Sequence, residues 1–152
     1  MIDAETLRAT LPGGWRVLAT TFPMWLSGRR INPIFSYGLL PGPDLRLSDE
    51  VTYQTRAGRQ RRISGVDRFD PATGWLTWRG RGALGLLTSR WRVEHLSDDR
   101  ELIVLTFDRS LVTPAGVDVI GRGPDPRPEA RDRLPPLSAD GLQWLPWSTM
   151  PG

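Results

Sequence analysis

The sequence of 152 residues contains no cysteine, no lysine and a single histidine. Without cysteine the chain has no disulfide framework, no thiolate metal site and no thiol nucleophile. One histidine and no cysteine also make a soft-metal site a poor hypothesis, so we expect no metal. The histidine, His95, lies close to a turn signal, which favours a position at a rim or surface over a role as catalytic base.

Long apolar runs are missing as well. No stretch approaches about 18 consecutive apolar residues, so the sequence predicts no membrane-spanning helix. The first residues, MIDAETLRATLPGG, are amphipathic and acidic and lack the basic start and apolar core of a signal peptide. From these two features we expect a cytoplasmic protein.

Arginine supplies all twenty basic side chains, and the chain also holds 16 glycines and 14 prolines. This composition is typical of a GC-rich bacterial genome. It explains the basic character better than a nucleic-acid surface does, because the net charge is only +3. The densest basic segment, RAGRQRR at residues 56–62, surrounds a glycine and indicates a solvated hairpin tip. We expect no nucleic-acid partner, with RNA binding through the single RGRG at residues 79–82 as the weaker alternative.

Alternating apolar and polar residues predict strands along most of the chain. The strand-like runs recur about every dozen residues, and short turn signals such as PGPD, DPATG, SDDR and TPAG separate them. This spacing is typical of an all-β meander that forms a barrel or a sandwich. One short helix is predicted in DAETLRATL, with Asp3 or Thr6 as its N-terminal cap.

Residues 23–43 depart from the meander, because aromatic side chains are mixed there with glycine and proline. The segment predicts a long loop, and long loops in compact domains are usually functional. Trp25 and Phe35 belong to an apolar surface that is too large for a loop that stays solvated. Gly28 and Gly38 are candidate hinges of this loop.

Residues 124–152 form the second irregular segment, which we interpret as a proline-rich tail after a barrel domain at residues 1–123. The run LQWLPW is too apolar to be left in water, so we expect Trp144 and Trp147 to dock. The outer wall of the barrel is the favoured place. Docking on the barrel entrance or on a partner subunit, as in a homodimer, stays open.

The sequence GGWRV at residues 13–17 opens the first predicted strand directly after the helix. A short helix followed by Gly-x-Trp resembles the lipocalins and the wider calycin group. In that family the tryptophan packs across the closed end of a barrel against an arginine that follows the last strand. The resemblance implies this arrangement for Gly13, Trp15 and Arg122, although FDRS stands where typical lipocalins carry Thr-Asp-Tyr.

The resemblance covers residues 3–123 and implies a specific fold. We expect an up-and-down antiparallel β-barrel of about eight strands, with a short N-terminal helix and the irregular tail. A barrel of that size is filled by side chains or holds one small ligand. The loop after the first strand lies over the open mouth in lipocalin-like barrels, which implies that residues 23–43 are a lid.

An apolar cavity inside this barrel is the expected binding site. The side chains that we expect to contact a substrate are mostly aromatic: Trp25, Phe35, Tyr37, Trp78, Ser89, Trp91 and Phe107.

Three polar side chains are candidate catalytic groups: Asp67, Arg79 and Tyr53. Inside a barrel such groups would be costly unless they were paired or bound to a polar part of a ligand. The alternative is structural, with Asp67 and Arg79 forming an ion pair across neighbouring strands at the rim. Alternation along WLTWRG places Trp78 on one face of its strand and Trp75 with Arg79 on the other.

No ordinary catalytic motif is present, since the sequence has neither a nucleophile elbow nor a phosphate-binding loop. We expect no cofactor. The favoured hypothesis is a cofactor-free enzyme of bacterial specialised metabolism, which holds a small apolar substrate in a reactive conformation for cyclisation or isomerisation. A non-catalytic carrier or sensor of a small hydrophobic molecule is the alternative. A structural module whose tryptophans fill the interior is a third, weaker one.

Overall fold

The computed structural model describes residues 1–111, 113–124, 130, 132–135 and 140–147. Two short helices, α1 (Ala4–Thr10) and α2 (Pro23–Leu26), are accompanied by a 3-10 turn at Gly82–Leu84. None of the helices in these ranges has the length and apolar composition that a bilayer span requires. The strands in the described part of the chain are β1 (Gly13–Thr20), β2 (Arg30–Leu39), β3 (Arg46–Thr55), β4 (Gln60–Phe69), β5 (Leu76–Gly80), β6 (Thr88–Leu96), β7 (Leu102–Phe107), β8 (Gly116–Gly121) and β9 (Gln143–Trp144).

Strands β1 to β8 form a closed antiparallel barrel. Each strand pairs with the next along the chain, and β1 pairs with both β2 and β8. Closure leaves no exposed sheet edge around the barrel. The predicted all-β, up-and-down barrel of about eight strands is confirmed. The short helix α1 is confirmed too, and the Asp3 carboxylate caps it by accepting from the backbone N–H of Thr6 at 2.8 Å.

Trp15 and Arg122 meet at the closed end of the barrel. The Arg122 guanidinium carbon lies 4.3 Å from the centroid of the Trp15 ring, which is fully buried. Arg122 Nη1 also donates to the carbonyl of Thr10 at 3.1 Å, and Trp15 Nε1 donates to the carbonyl of Leu11 at 2.9 Å. The contact therefore ties the last strand, the first strand and the end of α1 together, and the predicted Trp15–Arg122 contact is confirmed.

A second apolar cluster lies on the outer wall, where β1, β7 and β8 are adjacent. Leu18, Val104 and Val119 are almost fully buried there, although they point away from the interior. Strand β9 pairs with the end of β1, and Trp147 Nε1 donates to the carbonyl of Val17 at 2.8 Å. The described part of the tail thus packs mainly on the outer wall, although Leu145 belongs to the cluster that fills the interior. The proposed domain division at residue 123 stays a prediction.

The predicted long loop at residues 23–43 is wrong in extent, because β2 (Arg30–Leu39) occupies the middle of it. A bulge between Ile31 and Ile34 interrupts the alternation, and Asn32 adopts a left-handed φ of 52° there. That irregularity hid the strand from sequence periodicity. Gly38 is not a hinge but a strand residue, whose missing side chain admits the Ser48 hydroxyl from β3. Residues 21–29 are left as the connection over the mouth.

We predict that Arg122→Ala lowers the free energy of unfolding by about 2–3 kcal/mol, because it removes a cation–π contact and hydrogen bonds to helix-end carbonyls. Urea denaturation monitored by circular dichroism measures this change. Arg122→Lys keeps the charge and should recover part of the loss. Arg90→Ala is the matched control, since Arg90 stacks at 4.6 Å on the outer Trp75 and is exposed. An equal loss in the control would contradict a special role for the closed end.

Candidate functional site

A cavity of about 150 Å³ occupies the half of the barrel that lies away from α1. Its wall contains all seven side chains that the sequence predicted to contact a substrate: Trp25, Phe35, Tyr37, Trp78, Ser89, Trp91 and Phe107. Met24, Val51 and Ile63 line the cavity as well. Whether these seven residues contact a substrate stays a prediction.

Contacts between aromatic rings fix the shape of the wall. Tyr37 and Trp91 stack with centroids 5.5 Å apart, and Phe107 lies 6.3 Å from Trp91. Phe22 meets Phe107 edge to face at 5.3 Å. Such pairs are favourable beyond their buried area, so they hold one another in place. The wall is therefore preformed.

A glycine on the neighbouring strand makes room for Trp78. The indole packs directly over Gly65 of β4, where a Cβ atom would collide with its ring nitrogen. The other tryptophan of this segment, Trp75, lies on the outside between the guanidiniums of Arg90 and Arg92. The two indoles of WLTW thus serve different faces of one sheet, as the alternation predicted.

The mouth of the cavity is covered by the connection between β1 and β2. Met24 and Trp25 line the cavity from above, and Trp25 meets Tyr53 edge to face at 5.7 Å. Thr113, from the connection between β7 and β8, lines the same mouth. Tyr53 does not line the cavity but contacts Trp25. The Arg30 guanidinium lies 5.3 Å from the centroid of the Tyr53 ring.

Three buried carboxyl groups face the interior from three strands. Asp49 on β3, Asp67 on β4 and Asp118 on β8 are 7%, 0% and 1% exposed. Asp49 and Asp118 line the cavity directly. Burial raises the pKa of the Tyr37 hydroxyl well above its usual value. The negative charges of the three carboxyls lie near this hydroxyl and raise its pKa further.

Asp49 and Asp67 act as one unit because a hydrogen bond joins their carboxyl groups. An ionised carboxylate can only accept, so one member of the pair must carry the proton. Trp91 Nε1 donates to Asp67 Oδ1 at 2.9 Å, while Asp67 Oδ2 meets no other donor among the described residues. The two carboxyl groups therefore form one buried pair, of which Asp49 lines the cavity.

Burial sets the ionisation of these groups, because desolvation disfavours a charged carboxylate. Burial raises the pKa of Asp67 well above its usual value and that of Asp49 to about 6. It raises the pKa of Asp118 to about 7, against the lowering effect of a hydrogen bond with the Thr20 side chain. Asp118 Oδ1 has no partner among the described residues. No described arginine or histidine contributes to any of these shifts.

A comparison with solved structures identifies the architecture. No protein-family model matches the chain, and no curated protein matches it in sequence. Lobster apocrustacyanin A1 superposes with a TM-score of 0.63 at 11% identity, over 96% of this chain and 82% of its own. The siderocalin Ex-FABP superposes with a TM-score of 0.62 at 16% identity, over 92% of this chain and 96% of its own. The chain has a lipocalin-like fold.

Within this lipocalin-like barrel, the predicted ion pair between Asp67 and Arg79 is wrong. Asp67 lies opposite Trp78 in the register of β4 and β5, and both side chains point inward. Arg79 is the next residue, so it points outward, where its Nη1 donates to the carbonyl of Gly85 at 3.0 Å. Of the three candidate catalytic groups, Asp67 is fully buried in the interior and only Arg79 points outward. Tyr53 shares the inward alternation of Asp49 and packs against Trp25 at the mouth.

Sequence reasoning missed two interior carboxyls of the lipocalin-like barrel, although a signal for both was present. Asp49 shares the alternation of the buried Leu47, and Asp118 shares that of the buried Ile120. An aspartate on the inward parity of a barrel strand was therefore the sign to follow. Within the described ranges, no group of three or more histidine, aspartate or glutamate side chains is arranged to hold a metal ion.

We predict that Asp118 makes the protein less stable as pH rises. Its pKa of about 7 in the folded state lies above the unfolded value of 3.8, so its contribution is fully present below about pH 4. That contribution is lost between about pH 4 and 7, at about 1.4 kcal/mol for each pH unit. Asp118→Asn removes this penalty and should be more stable than the parent at pH 8.

Urea unfolding of both proteins at intervals from pH 4.5 to 8 measures the effect of Asp118. The difference between the two free energies of unfolding should grow with pH. Asp108→Asn is the control, because Asp108 is exposed, where it pairs with Arg90 at 3.8 Å and accepts from the Arg109 backbone N–H at 2.9 Å. A pH-independent difference between Asp118→Asn and the parent would contradict the assignment.

Proposed function

We propose that the barrel binds a small aromatic or apolar molecule that carries one basic nitrogen. The observation that carries this proposal is a cavity with aromatic walls whose buried carboxyl groups have no cationic partner among the described residues. The shared fold supports the location, since the siderocalin Ex-FABP functions through dual ligand specificities.

The cavity suits the apolar part of such a molecule. Its volume of about 150 Å³ is that of a cavity in which a single benzene ring can bind. The stacked Tyr37 and Trp91 offer flat apolar surface, and Met24 at the mouth is adaptable in shape. A ligand with one ring therefore gains burial without a large rearrangement of the wall.

The carboxyl groups suit a protonated nitrogen. An ammonium between Asp118 and Asp49 would satisfy the unpartnered Asp118 Oδ1 and compensate a buried negative charge. Aromatic faces within about 6 Å add a cation–π attraction of about 0.5–2 kcal/mol. A neutral carbonyl would instead accept a hydrogen bond from protonated carboxyls, and its binding would weaken as pH rises.

We predict that 2-phenylethylamine binds more tightly than its neutral isostere propylbenzene. The affinity for the amine should rise about tenfold or more from pH 5 to pH 8, because Asp49 and Asp118 lose their protons over that range. Propylbenzene should show no such rise. Isothermal titration calorimetry measures both, and native mass spectrometry of freshly purified protein identifies a retained molecule.

Asp118→Asn should lower the affinity for the amine and leave that for propylbenzene unchanged. Glu50→Gln is the matched control, since Glu50 is the outward neighbour of Asp49 and pairs with Arg62 at 3.4 Å. Binding of propylbenzene but not of the amine would refute the part of the proposal that gives the ligand a basic nitrogen. The proposed binding of an apolar molecule would stand. Failure of both probes, with no retained molecule, would favour an interior that binds nothing.

Cofactor-free isomerisation or cyclisation is a second candidate, and one observation favours it. Asp49 lines the cavity, its neighbour Asp67 has a pKa that burial raises well above the usual value, and a raised carboxyl pKa is what general acid catalysis requires. Protonation of a polyene or epoxide held against Trp91 would start such a reaction. Arg79 has no place in this mechanism, because it lies outside the barrel.

We predict that Asp67→Asn abolishes conversion if the barrel is an enzyme, because the amide can donate a hydrogen bond but cannot transfer the proton. Polyene and epoxide substrates are incubated with the parent protein and the products are followed by liquid chromatography. Glu50→Gln should convert substrate at the parent rate. Absence of conversion by the parent, together with tight ligand binding, would favour a carrier or sensor.

A further inference from the structure

The four connections at the open end of the barrel form one basic surface, which we call the mouth surface. Its members are residues 21–29, 56–59, 81–87, 108–111 and 113–115. They contain five arginines and one aspartate, and all five arginines are exposed. The aspartate, Asp108, pairs with Arg90. The mouth surface is therefore strongly cationic.

The opposite end of the barrel has the reverse charge. Its N-terminal segment and strand connections are residues 1–12, 40–45, 70–75 and 97–101. They contain seven acidic residues and two arginines, and Arg122 and Arg133 pair with two of the acids. The small net charge of +3 thus hides a separation of charge along the barrel axis.

The mouth surface also exposes two leucines. Leu86 is 92% exposed in the connection between β5 and β6, and Leu111 is 99% exposed in the connection between β7 and β8. A folded chain gains nothing from two large apolar side chains held in water at the tips of adjacent connections. Ile31 lies next to the mouth surface, at the start of β2, and is a third exposed apolar side chain at this end, with 38% of its surface exposed.

We propose that the mouth surface docks on an anionic lipid bilayer, with Leu86 and Leu111 entering the boundary between headgroups and acyl chains. Exposed leucines with surrounding arginines match that boundary in both polarity and charge. Nucleic acid is the competing partner, since arginines also attract its phosphates. A surface that binds single-stranded nucleic acid would offer aromatic side chains on which bases stack, whereas the exposed apolar side chains of the mouth surface are aliphatic. The proposal does not depend on what the cavity binds.

Co-sedimentation with vesicles tests the proposal. The full chain should bind vesicles of equal parts phosphatidylcholine and phosphatidylglycerol much more tightly than vesicles of phosphatidylcholine alone, and high salt should weaken the binding. Leu86→Ser combined with Leu111→Ser should lower the affinity by about tenfold or more, since each side chain leaves water on docking. Arg81→Gln combined with Arg109→Gln should lower it similarly.

Matched controls come from the opposite end of the barrel. Leu39→Ser combined with Arg68→Gln removes an exposed leucine and an exposed arginine there and should leave vesicle binding unchanged. Circular dichroism confirms that each variant folds. The proposal is overturned if the parent does not bind anionic vesicles or if the two leucine substitutions do not lower the binding. It is also overturned if the control substitutions lower the binding equally. Tighter binding to a single-stranded RNA oligomer than to the vesicles, insensitive to the leucine pair, would also overturn it.

Discussion

Closure of the sheet is the constraint on which the rest of the molecule depends. Because β1 pairs with both β2 and β8, every residue of the barrel strands points either into one enclosed space or out of it. Successive side chains along a strand therefore point alternately into the interior and toward the exterior. The Trp15–Arg122 contact fills one end with side chains, so free volume is left only at the other. The aromatic cavity, its lid and the cationic mouth follow from that asymmetry.

The buried carboxyl groups are the part of the interior that lowers the stability of the folded chain. Burying an unpaired carboxylate is expensive, and the folded chain reduces that cost by keeping protons on the groups. The Asp49–Asp67 pair shares one, and burial moves the pKa of Asp118 close to neutrality. A chain selected for stability alone would carry apolar side chains at such positions. The destabilising carboxyls therefore support the proposal that this cavity is a binding site rather than a filled core.

Much of the fold and part of the site could be predicted from the sequence. Alternation with regular turns indicated the meander, and Gly-x-Trp before the first strand indicated the closed end. Periodicity failed where the backbone breaks it, as at the bulge around Asn32, which concealed β2. The carboxyl pair was out of reach for another reason. Asp49 lies opposite Gly65 and Asp67 opposite Leu47, so their contact is diagonal and depends on the register of two strands.

The charges of the mouth and of the cavity have opposite signs, and this has a consequence for ligand entry. In free solution the rim arginines repel a cation, but salt screens exposed charges beyond about 8 Å, whereas the interior carboxyls act at short range in a poorly solvated space. An anionic bilayer would neutralise the same arginines and concentrate basic apolar molecules at its surface. A basic ligand would then reach Asp118 past Met24 and Thr113 without crossing bulk water. The two proposals rest on different side chains, since docking uses rim arginines and leucines while ligand binding uses interior carboxyls, although Met24 and Thr113 belong both to the mouth surface and to the cavity wall.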